Sequence, residues 1–374
     1  MIQSSSKRTP SVELIEVQPI SRPAENYCGW PTVTRLSNGD LVAVYSGSRQ
    51  QHVCPYGRIH FVRSTDEGRT WSEPVLLTSG PLDDRDAGIV EAANGDLVVV
   101  WFTSLAFERE LQENLRFAAQ LSPEERAEWE AISRSLNDTI RLRELGCWAK
   151  ISSDGGKTWS QPVATQVNSP HGPIRLKNGT LFYAGKFRAE GRIGERHSPF
   201  SLVIGAAISC DHGRTWQRLS EIAPMPGHDG ALYGELHAVE AADGRIVVHI
   251  RNNREEPKNE ILQTESFDGG RTWTEVRSTG LWGFPSHLLK LKDNRLLVSY
   301  SHRREPRGNR IAISHDHGQS WSEPLELTGG ETCNDFGYPS TVQLDDHTFY
   351  TVWYTRQENS RAACIKGARW KLIE

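Results

Sequence analysis

The sequence predicts an all-β chain: a six-bladed β-propeller with a helical insertion in its second blade. Three observations carry this. The pattern S-x-D-x-G-x-[TS]-W occurs five times, at Ser64 to Trp71, Ser152 to Trp159, Ser209 to Trp216, Ser266 to Trp273 and Ser314 to Trp321, and repetition of this kind marks a repeat fold. A second repeat runs in phase with the first. TVTRLSNGDLVAVYS, GIVEAANGDLVVVWF, PIRLKNGTLFYAG, HAVEAADGRIVVHIR, HLLKLKDNRLLVSYS and STVQLDDHTFYTVWY each read as two strands around a turn, so six blades are expected. The Asp-to-Asp spacings of the first repeat are 88, 57, 57 and 48 residues, which suits a four-stranded sheet plus loops with extra material in the first interval.

Each element has a local reason. In the octapeptide the Asp accepts hydrogen bonds from backbone N–H groups a few residues on, the Gly takes positive φ, and the Trp is an apolar anchor. Asp66, Asp154, Asp211, Asp268 and Asp316 are therefore expected to fasten turns rather than to catalyse. The last strand pair is followed by ACIKGARWKLI and no octapeptide, so an N-terminal strand, Val12 to Ile20, is expected to complete the last blade. Residues 105–145 break the β pattern and read as two helices parted at Ser122-Pro123. Ser122 is the N-cap, Pro123 is N1 and Glu125 is N3. Leu111, Leu115 and Ala118 share one stripe, and Trp129, Ile132 and Leu136 another. This insertion either packs on the propeller side, or joins a neighbouring subunit in a homo-oligomer, or covers a site as a lid.

The in-phase repeat makes residues 1–374 one domain. A net charge of −4 gives no basic footprint, so nucleic acid is excluded as a partner. No stretch approaches the roughly 18 apolar residues of a membrane span, and the N-terminus lacks an apolar leader. No membrane contact and a cytoplasmic location are the expectation. The six cysteines lack C-x-x-C spacing, which leaves no structural zinc motif. No phosphate-binding loop or nucleotide fingerprint is present, so no cofactor is expected.

In a propeller the innermost strand of every blade begins near the axis, and those starts build the pocket. In chain order they bring Gly29-Trp30, Asp84-Arg85-Asp86, His171, Glu235 with His237, Ser286-His287 and Tyr338. The next strands end in Arg49, Arg188, Arg251 and His302-Arg303. Guanidiniums around one cavity clamp a carboxylate through planar forks of donors, so an acidic substrate follows.

The octapeptide resembles the Asp box of sialidase-like propellers, and longer segments extend the likeness. GELHAVEAADGRIVVHIR is similar to the sialidase stretch that carries a Glu before an inner strand and an Arg after the next, which sets Glu235 and Arg251 on those positions. CNDFGYPSTVQLDD resembles the segment with the catalytic Tyr, hence Tyr338. RGNRIAISHDHG resembles the segment with a further carboxylate-binding Arg, at Arg307 or Arg310. The resemblance implies a Tyr nucleophile, a Glu base and an arginine clamp. Two departures stand out. The first-blade Arg-Ile-Pro of sialidases is replaced by Gly29-Trp30-Pro31, and after Arg49, where their acid Asp lies, the chain reads Gln50-Gln51-His52-Val53-Cys54. Asp84, Asp86 or His52 is left as the proton donor.

Three activities fit these residues. The leading one is a sialidase-like exo-glycoside hydrolase on an acidic oligosaccharide or glycoconjugate, with Tyr338, Glu235, Arg251 and Arg307 or Arg310 in the roles above, and Arg49, Arg85 and Trp30 beside the substrate. The second is a lyase that removes the C5 proton of a uronate with His52, His171, His237, His287 or Tyr338. The third is a glycan-binding propeller without turnover, with Trp30 and Trp282 stacked on sugar rings.

Overall fold

The computed structural model describes residues 10–21, 26–114, 118–189, 198–253, 256–356 and 358–374. Every octapeptide folds as a fastened turn. In the first, Ser64 Oγ donates to Asp66 Oδ1 and accepts from Gly68 N, both at 2.8 Å, while Thr70 N and Thr70 Oγ1 donate to the two Asp66 oxygens at 2.8 and 2.7 Å. The same bonds recur at Asp154, Asp211, Asp268 and Asp316. Partial burial pushes Asp66 up, but these donors outweigh it and hold the carboxyl down at about 2. Gly68 has φ 84°, and a Cβ there would strike the Tyr350 ring. Trp71 Nε1 donates to Tyr350 Oη at 3.1 Å, which ties the turn to a strand 279 residues away.

These turns serve an all-β, propeller-like fold with few helices. Four sheets are separate blades of four or five antiparallel strands; their innermost members are Asp83–Glu91, Val167–Asn168 with Ile174–Arg175, Tyr233–Glu240 and Ser286–Lys290. The fifth sheet has eight strands. It joins the run Phe336–Gln343, Thr348–Arg356, Ala363–Ile373 to the run Tyr27–Arg35, Leu41–Arg49, Arg58–Ser64, Val75–Leu76. Among the described residues the hydrogen bonding thus gives five sheets rather than the six expected, and the cause is local: the two runs meet in a single parallel pair, Tyr27 with Ala363. The N-terminal strand Ser11–Pro19 pairs antiparallel along Ala363–Ile373, from Ser11 opposite Ile373 to Pro19 opposite Lys366, so both chain ends lie in one sheet.

The innermost strands form a closed circle. Thr32 Oγ1 donates to Ala87 O, Gly88 bridges to His171, and Ser169 Oγ donates to Leu236 O. Leu288 N donates to His237 Nδ1 (2.9 Å), Thr341 N to His287 Nδ1 (3.4 Å), and Val33 N to Ser340 Oγ (3.2 Å). Apolar side chains such as Val44, Val100, Val248 and Val298 fill the spaces between neighbouring sheets.

Among the described residues between Leu97–Ser104 and Cys147–Ser152, three helices are seen, α1 (Ala106–Glu113), α2 (Pro123–Ser135) and α3 (Asp138–Glu144), one more than expected. Asn137 supplies the extra start: its side chain caps Ile140 N. The break at Ser122 is a capping box with Pro123 in the first turn. Leu111, Ala118, Trp129 and Leu136 are buried, whereas Leu115 lies outside the described residues. The apolar face rests on the chain's own Cys54 and Leu82, and Trp129 Nε1 donates to Gln50 Oε1 at 3.0 Å.

Candidate functional site

Where the inner strands reach the axis, the backbone does something the sequence does not announce. Trp30, Asp86, His171, Glu235 and Tyr338 have φ of 54°, 49°, 70°, 45° and 54°, a left-handed conformation that costs non-glycine residues roughly 1–3 kcal/mol each. At Trp30, Asp86, Glu235 and Tyr338 the pairing to the next strand also slips. Such a bulge re-aims a side chain. Four bulges in equivalent places turn an indole, two carboxyls and a phenol toward one cavity of about 570 Å³.

Its floor carries a three-group cluster. Tyr338 Oη donates to Glu235 Oε1 at 2.7 Å, Arg251 Nη1 donates to Tyr338 Oη at 3.2 Å, and Arg251 Nη1 also pairs with Glu235 Oε2. Phe284 lies 4.1 Å beneath the Arg251 guanidinium, and Asn253 Oδ1 accepts from its Nε. Burial, then the Glu235 charge, pushes the Tyr338 phenol well above its ordinary value, with Arg251 pulling the other way.

Among the described residues three guanidiniums line the cavity: Arg85, Arg251 and Arg303. Arg85 lies 4.2 Å over the Trp30 ring. Arg303 donates to Phe336 O at 2.8 Å and stands 5.9 Å from the Tyr338 ring. Neither Arg307 nor Arg310 is among the lining residues. Arg307 pairs with Glu305 and Asn334, and Arg310 with Glu326 and the carbonyls of Pro306 and Thr328. Arg310 lies on the strand Gly308–Ser314 and Arg307 just before it, both beyond Arg303, so they serve that sheet's edge. Arg49 is buried against Asp83, with its guanidinium 4.9 Å from the Trp30 ring. Arg188 lies over Trp148, and Trp282 meets His302 edge to face under Arg304.

The proposed proton donors separate. Asp86 lines the cavity, its Oδ1 makes no hydrogen bond among the described residues, and burial raises it to about 7 against the pull of Arg85. Asp84 is also buried and raised to about 7, but its carboxyl faces a different groove. His52 stands at the cavity wall, its ring 5.0 Å from Trp30, and its Nδ1 lies 3.0 Å from Asp335 Oδ1. Enclosure lowers the His52 value while Asp335 works against the shift.

Asp335 is a residue the sequence reading missed. It accepts from Tyr27 at 3.0 Å, Tyr354 at 2.8 Å and Arg356 at 3.0 Å; against burial, His52 and these donors keep it well below the carboxylate range. Its position three residues before Tyr338 was the available signal. His171, His237 and His287 form a buried cluster on the axis with ring centroids 4.4 to 5.6 Å apart, and none of them lines the cavity. His237 and His287 accept backbone N–H bonds at Nδ1, which only a neutral ring can do. Burial lowers all three, His287 to about 3.

Known proteins share this frame. The sequence model of the BNR repeat-like domain family matches residues 137–351. A sialidase of Bacteroides fragilis (strain YCH46) is 27% identical over 353 residues, covering 85% of this chain and 58% of its own length. A sialidase of Micromonospora viridifaciens is 26% identical over 340 residues, covering 85% and 48%. The chain therefore spans about half the length of these relatives. Among solved structures, a protein of unknown function from Dyadobacter fermentans superposes with a TM-score of 0.74 at 22% identity, over 98% of this chain and all of that one. The NanB sialidase from Streptococcus pneumoniae gives 0.67 at 16% identity, over 96% and 70%. Matched over more than half its length by the family's own repeat, and built on the turns and sheets described above, the chain belongs to the BNR repeat-like domain family and to the sialidase superfamily.

Proposed function

We propose that this protein is a retaining exo-glycoside hydrolase that removes an acidic sugar from a glycan. The observation that carries the reading is the Tyr338 hydroxyl held 2.7 Å from Glu235 Oε1 with Arg251 at 3.2 Å. A phenol is a weak nucleophile at its free pKa and needs an adjacent base. Glu235 accepts the phenolic proton as Tyr338 Oη attacks the anomeric carbon, and Arg251 steadies the charge that develops. The substrate carboxylate is held by Arg85, Arg251 and Arg303, with Arg85 in place of the arginine that Trp30 displaces.

Asp86 is the proton donor. A carboxyl near 7 keeps its proton up to neutral pH, and it hands that proton to the leaving oxygen as the glycosidic bond breaks. Water then attacks the anomeric carbon of the Tyr338 adduct, Asp86 takes its proton, and the phenol leaves with the proton from Glu235. His52, oriented by Asp335, hydrogen-bonds the leaving group at the cavity wall. The buried axial histidines weigh against elimination at a uronate, since a base must reach the C5 proton.

The same reading takes the eight-stranded sheet as two blades, which with the four separate sheets makes one six-bladed domain. Tyr338→Phe tests the chemistry. Turnover of an aryl sialoside is expected to fall by at least about 1,000-fold, some 4 kcal/mol on the barrier, with the melting curve retained; unchanged turnover rejects the mechanism.

A further inference from the structure

The cavity at Tyr338 does not end at Arg85. A smaller hollow of about 260 Å³ adjoins it, and Arg85, Phe102 and Phe200 line both. The Phe102 and Phe200 rings meet with centroids 4.8 Å apart. Val53, Ala106 and Arg109 belong to the hollow only. Ala106 and Arg109 stand on α1, the first helix of the insertion, three residues apart and so on one face. The rest of α1 is fixed: Phe107 and Leu111 are buried beside Cys54 and Trp129, and Arg141 and Ser133 both hold the buried Glu108 carboxylate at 2.6 Å.

Val53 follows His52 and Arg85 precedes Asp86, so the hollow lies beside the two side chains that meet the leaving group. Its walls combine the aromatic rings with two guanidiniums, Arg85 and Arg109, and no carboxylate lines it among the described residues. Arg85 is tied to His52 O at 3.0 Å. Arg109 is more than half exposed, and its one ion pair among the described residues is with Glu110, at 3.7 Å. Glu110 is itself engaged by Asn114 Nδ2 at 2.7 Å. A cation so lightly held, with rings beside it, fits a sugar that presents an apolar face and a carboxylate.

We propose that the hollow is a leaving-group subsite which the insertion adds to the cavity, and that it takes a second acidic sugar, with its ring on Phe200 and its carboxylate at Arg109. The inference rests on the hydrolase reading above and narrows its substrate: the terminal acidic sugar is joined to another acidic sugar rather than to a neutral one. At about 260 Å³ the space is smaller than the roughly 300–1,000 Å³ of a pocket for a drug-sized ligand, which suits one further unit of a chain whose end lies at Tyr338.

Hydrolysis of a sialic acid dimer, of sialyllactose and of an aryl sialoside by the full chain tests it. The dimer is expected to exceed sialyllactose in kcat/KM by about fivefold, the scale of a partly exposed ion pair, with the margin carried in KM and shrinking as salt is raised. Arg109→Ala removes the margin by raising KM for the dimer, and Arg109→Lys keeps most of it. Ala106→Trp, which fills the hollow, slows the dimer more than the aryl sialoside. Equal kcat/KM for the dimer and sialyllactose in the parent, or a margin that survives Arg109→Ala, overturns the subsite while the aryl sialoside is still cleaved. No turnover of any of the three overturns the hydrolase reading, and the subsite with it.

Discussion

Replacing Glu235 by Gln changes the charge of the floor cluster while keeping its shape. The amide still reaches Tyr338 Oη, 2.7 Å from the present carboxylate, but it cannot accept the phenolic proton. Loss of a general base lowers rates by roughly 10²–10⁴-fold, about 3–5 kcal/mol on the barrier at 1.36 kcal/mol per tenfold. Arg251 loses a charged partner but keeps Asn253, Tyr338 and the Phe284 face, so the melting temperature should drop only slightly. A second signature follows from charge. Burial and then Glu235 raise the Tyr338 phenol, while Arg251 lowers it. With Glu235 neutralised, burial and Asp86 still hold the phenol up, but one charge that raises it is gone and Arg251 remains, so it ionises at lower pH than in the parent. Residual activity in the variant should therefore climb with pH as phenolate forms. The assay is steady-state release of a nitrophenol from an aryl sialoside, a leaving group good enough to need little acid. Turnover within about tenfold of the parent, or residual activity that does not rise with pH, would refute the Tyr–Glu assignment.

Asp86→Asn should spare the nitrophenyl substrate and cripple glycosides of poor leaving groups, and it should remove the alkaline fall in kcat expected of the parent as pH passes about 7. Asp84 makes a linked stability prediction. A carboxyl raised from 3.8 to about 7 keeps its proton in the folded state where the unfolded chain has lost it, so stability falls as pH rises between those values. Asp84→Asn should flatten that fall in a melting series. Trp129→Ala, with its ring fully buried against Phe107, is expected to cost about 3–5 kcal/mol, read as lowered resistance of 106–144 to proteolysis. Asp154→Asn in an octapeptide should lower the melting temperature and leave kcat unchanged, because both Asp154 oxygens are engaged by Ser152 and Thr158.

Much of the fold was legible because its determinants are local. The octapeptide specifies its own turn through bonds no more than four residues long, and Ser122 with Glu125 specifies a helix start the same way. The strand Ser11–Pro19 was readable because a repeat ended one strand short. The fused sheet was not, since one pair, Tyr27 with Ala363, decides it. At the site, Glu235, Arg251 and Tyr338 could be named from their places in the repeat, and the structure brings all three together. Arg303 was named with the other strand-end arginines, whereas Asp335 was passed over. Arg307 and Arg310 pair with Glu305 and Glu326, and Asp335 is held by Tyr27 and His52, which lie far off in sequence, together with Tyr354 and Arg356. The left-handed φ at Trp30, Asp86, Glu235 and Tyr338 has no sequence signal, because none is a glycine or asparagine.

The most direct test of the central claim is to incubate the protein with an aryl sialoside and with uronate-containing glycans, following aglycone release and near-ultraviolet absorbance together. The account predicts release from the sialoside, abolished in Tyr338→Phe, with no chromophore from any uronate. Growth of a conjugated uronate chromophore, or no release from any acidic glycoside, would contradict it.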